Sequence, residues 1–231
     1  MKPTPSDLRD LARRDRRLGR LLGELPPFPG FPERGNERHR SNWTALASAI
    51  VYQQLHGKAA STIFGRVCAL TPGSGFPTPA EISKLPDRSL RAAGLSANKL
   101  LALRDLARRI EDGSLPILRL ARMSEEMIVE RLTEVRGIGG WSASMFLMFR
   151  LGRLDVMAET DFGVVEGMRL LDGLPERPTP REALARAESW RPLRSVGCWA
   201  MWRLVERERA LARDRTKRGR DRIPARRSVS S

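Results

Sequence analysis

The sequence predicts an all-α fold: a multi-helix domain of two lobes with a cleft between them. Three observations carry this. No stretch alternates apolar and polar residues with the period of two that a half-buried strand requires. Apolar residues instead recur at helical spacing along most of the chain. Finally, "RGIGGW" places three glycines at Gly137, Gly139 and Gly140, between two runs that read as helix, and this marks a tight helix–helix turn. A chain of 231 residues suits one large domain or two small lobes with a core of normal size.

The elements follow in order. Residues 6–22 form a basic amphipathic helix, with Leu8, Leu11, Leu18, Leu21 and Leu22 on its apolar side. "ELPPFPGFPERGNERHR" ends it with prolines and glycines. "NWTALASAIVYQQL" is the next helix, and "GKAASTIFGRVCAL" continues it after Gly57. "TPGSGFPTP" is a loop, followed by two short capped helices in "TPAEISKL" and "PDRSLRAAG". In "SANKLLALRDLARRIEDG", Ser96 caps a helix whose inner face is Leu100, Leu103, Leu106, Ala107 and Ile110. "SEEMIVERLTEV" starts at a Ser124 cap, although the capping-box glutamate is replaced by Met127. The glycine turn comes next, then the helix "WSASMFLMFRL", the connector "GRLDVMAETD" and the helix "FGVVEGMRLL". "TPREALARAESW" and "RPLRSVGCWAMWRLVERERALA" complete the set. Past Arg213, "DRTKRGRDRIPARRSVSS" has almost no apolar residue and reads as disordered. The expected division is residues 1–40 as an N-terminal helix and Pro-rich segment, 41–212 as the main domain, and 213–231 as a basic tail.

Composition narrows the function. The formal net charge is +15 and the pI about 11.3, which points to a polyanionic partner: DNA, RNA or an anionic membrane surface. Arginine supplies nearly all of it, because the only lysines are Lys2, Lys58, Lys84, Lys99 and Lys217. Arg203 to Ser231 alone holds 11 basic and 4 acidic residues, a net of +7. Cys68 and Cys198 are far apart and read as buried thiols in a reducing compartment. Two cysteines are too few to ligate an iron–sulfur cluster. The apolar runs fall short of the ~20 residues of a membrane span. The N-terminus has no apolar signal-peptide centre, so a cytoplasmic, nucleoid-associated protein is expected. His39 and His56 are too separated, and too unsupported by acids, to suggest a metal site.

A short glycine turn between helices exposes successive backbone N–H groups, which with the next helix N-terminus make an anion cradle. Gly137 and Gly139 would let a phosphate approach, and Ile138 between them would plug the two helices together. Gly140 completes the cradle. Such a contact reads phosphate and no base edge. The alternative is a plain helix–helix corner with glycines used for tight packing, and the excess positive charge favours DNA.

Here the motifs carry a resemblance. "LTEVRGIGGWSASMFLMF" followed by "DVMAETDFGVVEGM" resembles the helix-hairpin-helix DNA glycosylases that have a Gly/Pro-rich loop and a catalytic aspartate. "AIVYQQLHGKAASTIF", "LSANKLLALRDLA" and "RPLRSVGCWAMW" are similar to the alkylated-base branch, the 3-methyladenine DNA glycosylase II type. The resemblance runs from about Asn42 to about Val205. With about forty residues before the match, the chain is expected to be the compact form that lacks the mixed α/β N-terminal domain of larger bacterial members.

The resemblance implies roles. Asp161, in "AETDFGVV", matches the aspartate that faces the flipped nucleotide. Cleavage of an N-glycosidic bond builds positive charge on the sugar, which a nearby carboxylate stabilises; Asp161 is also placed to orient a water. The base must leave the stack first. The competing reading is that Asp161, or Thr160, only caps the helix starting at Phe162. Both roles are compatible. Asp155 and Glu159 are nearby competitors, Asp155 being the more solvated candidate.

Trp141 occupies the position where lyase-active relatives carry a Schiff-base lysine, and no lysine lies between Lys99 and Lys217. A monofunctional enzyme without AP-lyase activity is therefore expected. Alkylated bases such as 3-methyladenine and 7-methylguanine are cationic, which suits an electron-rich aromatic pocket. Trp141 and Trp202 match pocket positions, with Phe162 and Tyr52 as further candidates; ordinary core packing is the alternative for each and the preferred reading for Trp199. Met145 stands where one branch has a tyrosine, which leaves pocket shape and lesion range open. Gln54 aligns with the wedge that fills the hole left by a flipped base, with Leu55 and His56 beside it; otherwise Leu55 is core and the glutamines end a helix. The hairpin carbonyls of Thr133, Val135 and Ile138 match positions that hold a monovalent cation, Na+ or K+; no cofactor is required. The implied partner is double-stranded DNA with damaged bases, acted on by a monomer in base excision repair. Excision of uracil, hypoxanthine or an etheno-adduct is the alternative within enzymes, and a non-catalytic DNA-binding protein is the alternative outside them.

Overall fold

The computed structural model describes residues 2–32, 41–73 and 75–221. Among these there are twelve α-helices and no strand. In chain order they are α1 (Pro5–Arg14), α2 (Arg16–Glu24), α3 (Asn42–Tyr52), α4 (Gly57–Cys68), α5 (Pro79–Lys84), α6 (Asp87–Ala92), α7 (Ala97–Glu111), α8 (Glu125–Thr133), α9 (Gly140–Met145), α10 (Phe162–Asp172), α11 (Pro180–Ala187) and α12 (Arg194–Asp221). The chain forms two compact units: one is Pro29–Val156, the other combines Pro3–Phe28 with the chain from Met157 onward. The segment 1–40 is thus not one piece. Its two helices belong to the second unit, and the Pro-rich stretch passes to the first at Pro29. His39 lies outside the described residues.

In the first unit, α7 is the central helix and packs on α5 and α3. Its inner face is Leu100, Leu103, Leu106 and Ala107, as the periodicity predicts, while Ile110 is half-buried. Each fully buried leucine contributes roughly 1.5–3 kcal/mol over its exposed state. α3 buries Trp43, Leu46, Ala47, Ile50 and Val51. The Lys99 ammonium donates to the Val51 carbonyl at 2.8 Å, satisfying a carbonyl of the last α3 turn. The long apolar run does not continue after Gly57 as one helix. α3 stops at Tyr52, Gln54 takes φ = 56°, and α4 starts afresh.

In the second unit, the helix expected over 6–22 is two helices with a corner at Asp15. The reason is local. The Asp15 carboxylate accepts from Arg17 N at 3.1 Å and Leu18 N at 3.0 Å, which caps α2 and leaves Asp15 extended. α10 and α12 form the most extensive helix pair of this unit. Gly167 allows it: a Cβ there would lie 2.7 Å from the Met201 backbone. Trp199 is buried with Phe28 against its edge at 5.4 Å, so its expected core role holds. The expected disorder past Arg213 does not hold at its start, since α12 runs to Asp221. Extending an existing helix costs far less than nucleating one, and arginine and lysine are good helix formers. Residues 222–231 lie outside the described residues.

Candidate active site

The glycine hairpin lies between α8 and α9. Gly137 has φ = 76°, the left-handed conformation that an L side chain resists, and a Cβ there would also meet Ala102 Cβ of α7 at 3.3 Å. Ile138 is buried between the helices, as expected. Gly139 caps α9 and Gly140 begins it; a Cβ on either would meet nothing within 4 Å. The three glycines therefore differ. Gly137 answers the turn and the packing on α7, whereas Gly139 and Gly140 face open space. Two side chains brace the turn. Asp105 accepts from Arg136 N at 2.8 Å, and Gln53 donates from Nε2 to the Gly137 carbonyl at 2.8 Å. Burial pushes the Asp105 carboxyl up, but the Arg136 amide, Arg108 and Arg109 outweigh it and hold its pKa below the usual carboxylate range.

A concavity of about 660 Å³ opens in the first unit beside this turn. Tyr52 and Gln54 line one part, and Gly137, Trp141 and Met145 another, so the structure brings five sequence-predicted residues together. Phe146, Phe149 and Ser142 also line it, and the sequence reading missed them. Trp141, Met145 and Phe149 stand four residues apart, a helical stripe that was legible but indistinguishable from core. The backbone adds a feature that no spacing announces. Phe146–Arg150 is a π-turn, with Leu151 N donating to Phe146 O at 3.1 Å. Such a turn rotates the following side chains away from their α-helical directions and is frequent at functional sites. Tyr52 is backed by the Phe64 ring at 6.2 Å, and Phe149 by Phe31 at 4.9 Å. Trp141 is 46% exposed, an indole presented to solvent. Gln54, Leu55 and His56 are all exposed in the α3–α4 link. Gln54 is the only non-glycine with positive φ among the described residues. Leu55 is thus not core.

Asp161 lies in the second unit at the N-cap of α10. Its Oδ1 accepts from Val164 N at 2.9 Å and from the Trp202 indole Nε1 at 2.8 Å. The cap reading is therefore true, and Asp161 is at the same time only half-buried. Trp202 is tied to Asp161 and does not line the concavity of the first unit. Phe162 is 55% exposed with the Arg177 guanidinium 4.5 Å from its ring centre, and it too is not among the residues of that concavity. Asp155 is half-buried, not solvated, because the connector tucks in beside buried Val156 and Met157. Cys198 is buried, and burial pushes its thiol up to about 12; Cys68, the last residue of α4, is only half-buried.

An all-α fold with a glycine hairpin and, downstream, an aspartate capping the next long helix defines a class, and comparison agrees with it. Residues 47–192 match the profile of the HhH-GPD superfamily base excision DNA repair proteins. The chain is 36% identical over 189 residues to DNA-3-methyladenine glycosylase 1 of Schizosaccharomyces pombe, covering 81% of this chain and 80% of that protein. The solved S. pombe 3-methyladenine DNA glycosylase in complex with abasic DNA superposes with a TM-score of 0.71 at 34% identity, over 85% of this chain and 95% of that one. The crystal structure of the DNA-3-methyladenine glycosidase of Bacillus halodurans gives 0.77 at 32% identity, over 87% and 88%. The chain belongs to the HhH-GPD superfamily of base excision DNA repair proteins, among the 3-methyladenine DNA glycosylases.

Proposed function

We propose that the protein is a monofunctional DNA glycosylase that excises alkylated bases of the 3-methyladenine and 7-methylguanine class from duplex DNA. The observation that carries this reading is the Asp161 carboxylate, fixed on one oxygen yet half-exposed at the head of α10. It suits stabilisation of positive charge on a deoxyribose as the bond to the base breaks. The base leaves with the bonding electrons, water adds to the sugar, and an abasic site remains. Tyr52, Trp141, Phe146 and Phe149 line a concavity of the first unit, and their rings suit stacking on a cationic base. No amine stands at Trp141, so strand cleavage through a Schiff base is not expected.

Gly139 and Gly140 take a backbone phosphate, and the carbonyls of Thr133, Val135 and Ile138 hold a monovalent cation beside it. Gln54, in its strained and exposed backbone position, is the wedge, flanked by Leu55 and His56. The protein works as a monomer on DNA. No described helix is long and apolar enough to cross a membrane. The test is release of free base from a duplex carrying 7-methylguanine. Wild type releases it, and Asp161→Asn binds the same duplex but does not. Equal release by that variant removes Asp161 from the mechanism, and no release by wild type leaves a DNA-binding protein. A panel of uracil, hypoxanthine and etheno-adduct duplexes then fixes the lesion range.

A further inference from the structure

The way Asp161 is held exceeds what a helix cap needs. A cap draws only on amides of its own helix, and Val164 N supplies one at 2.9 Å. The second donor on the same oxygen, Trp202 Nε1 at 2.8 Å, comes from α12, 41 residues along the chain. The terminal torsion of a carboxylate is broad and soft. Two donors from separate helices pin Oδ1 and so orient the whole carboxylate plane.

A glycine makes this arrangement possible. A Cβ at Gly163 would stand 2.7 Å from Trp202 Cδ1, 3.2 Å from Trp202 Nε1 and 3.2 Å from Asp161 Oδ1. The backbone at Gly163 needs no left-handed angle, since its φ lies outside the positive range. Space is the reason for it, in a helix where alanine is favoured by roughly 1 kcal/mol. Gly163 thus gives up helix stability to let an indole edge reach the carboxylate.

We propose that Trp202 is a positioning residue for Asp161, acting through its indole N–H, and that Gly163 is the space that admits it. This replaces the base-stacking role that sequence resemblance gives Trp202. It rests on the reading of Asp161 as the catalytic carboxylate, so the experiment separates the two. Base release from a 7-methylguanine duplex is followed in single turnover over a range of enzyme concentrations, with melting curves for every variant. Trp202→Phe keeps an aromatic ring and removes the N–H. It lowers the rate at saturating enzyme by about 10- to 100-fold, the worth of a hydrogen bond to a charged group, and leaves the half-saturating concentration unchanged. Gly163→Ala reproduces that loss from the other side. The double variant is little worse than either single one, because both break one contact.

If Trp202→Phe instead raises the half-saturating concentration at an unchanged maximal rate, Trp202 stacks on the base and the proposal fails. If it behaves as wild type while Asp161→Asn is inactive, the proposal fails and the reading of Asp161 stands. If Asp161→Asn is fully active, both fall together. Should Gly163→Ala melt below the assay temperature, Trp202→Phe alone decides.

Discussion

Two aspartates of the second unit are built nearly alike, and their difference shows how one local device serves two ends. Asp15 caps α2 with Oδ1, and its Oδ2 accepts from the Trp190 indole at 2.7 Å. Asp161 caps α10, and its Oδ1 accepts from the Trp202 indole at 2.8 Å. In each case a helix-capping carboxylate is locked by a tryptophan from a distant segment. The surroundings part them. Asp15 is 6% exposed and pairs with Arg186 at 2.6 Å. Burial pushes its carboxyl up, but hydrogen bonds from Arg186, the Leu18 amide and Trp190, with the Arg186 charge, hold its pKa below the usual range. Arg186 also binds Asp172, at 2.7 Å, so the pair extends into a network that ties the α1–α2 corner to α11 and the end of α10. Asp161 sits at a half-exposed helix end. The first is a staple, and the second is the half-exposed carboxylate proposed above to act on the sugar.

The largest expected effect tests that division directly. Asp161→Asn lowers base release at saturating enzyme by about a thousandfold, while Asp15→Asn, assayed on folded protein, stays within about threefold of wild type. Equal losses would erase the distinction. Stability should show the reverse. Asp15→Asn leaves Arg186 short of a buried partner and costs about 3 kcal/mol in urea unfolding. Asp161→Asn costs less than about 1 kcal/mol, because asparagine caps a helix as well as aspartate. Next come the indoles: Trp190→Phe removes a fully buried donor and costs about 2 kcal/mol, against less than about 1 kcal/mol for the half-exposed Trp202→Phe.

The smallest effect is the proton-linked part of the Asp15 contribution. Its folded-state pKa is depressed, so that contribution is complete above the unfolded value of about 4 and is lost as pH falls through the folded one. Melting temperatures of wild type and Asp15→Asn should therefore converge as pH drops below about 4. A gap that stays constant into acid would mean that the carboxylate's charge does not drive the staple.

Much of this fold is legible in the sequence. Ser96, Ser124 and Thr78 announced their helices by cap chemistry, and the inner face of α7 followed from leucine spacing. Gly137 and Ile138 read correctly as turn and plug. The cap at Asp161 was legible from its position before Phe162. Other features were not legible. Asp15 sits inside a continuous leucine pattern, so periodicity carried one helix straight through it. Phe146 lines the concavity although it falls off the Trp141–Met145–Phe149 stripe, and the π-turn that begins at it has no sequence period. Trp202 carries the same weight in sequence whether it stacks on a base or donates its N–H to a carboxylate.

Helical class, most of the caps, the hairpin and the family all follow from neighbours a few residues apart or from a short motif, so the order of residues is enough for them. Which aspartate is buried against an arginine, which indole reaches which carboxylate, and why position 163 is glycine emerge only from the folded chain. Those outcomes depend on the close approach of segments up to 175 residues apart, such as Asp15 and Trp190, and distance in space is not written in any local pattern.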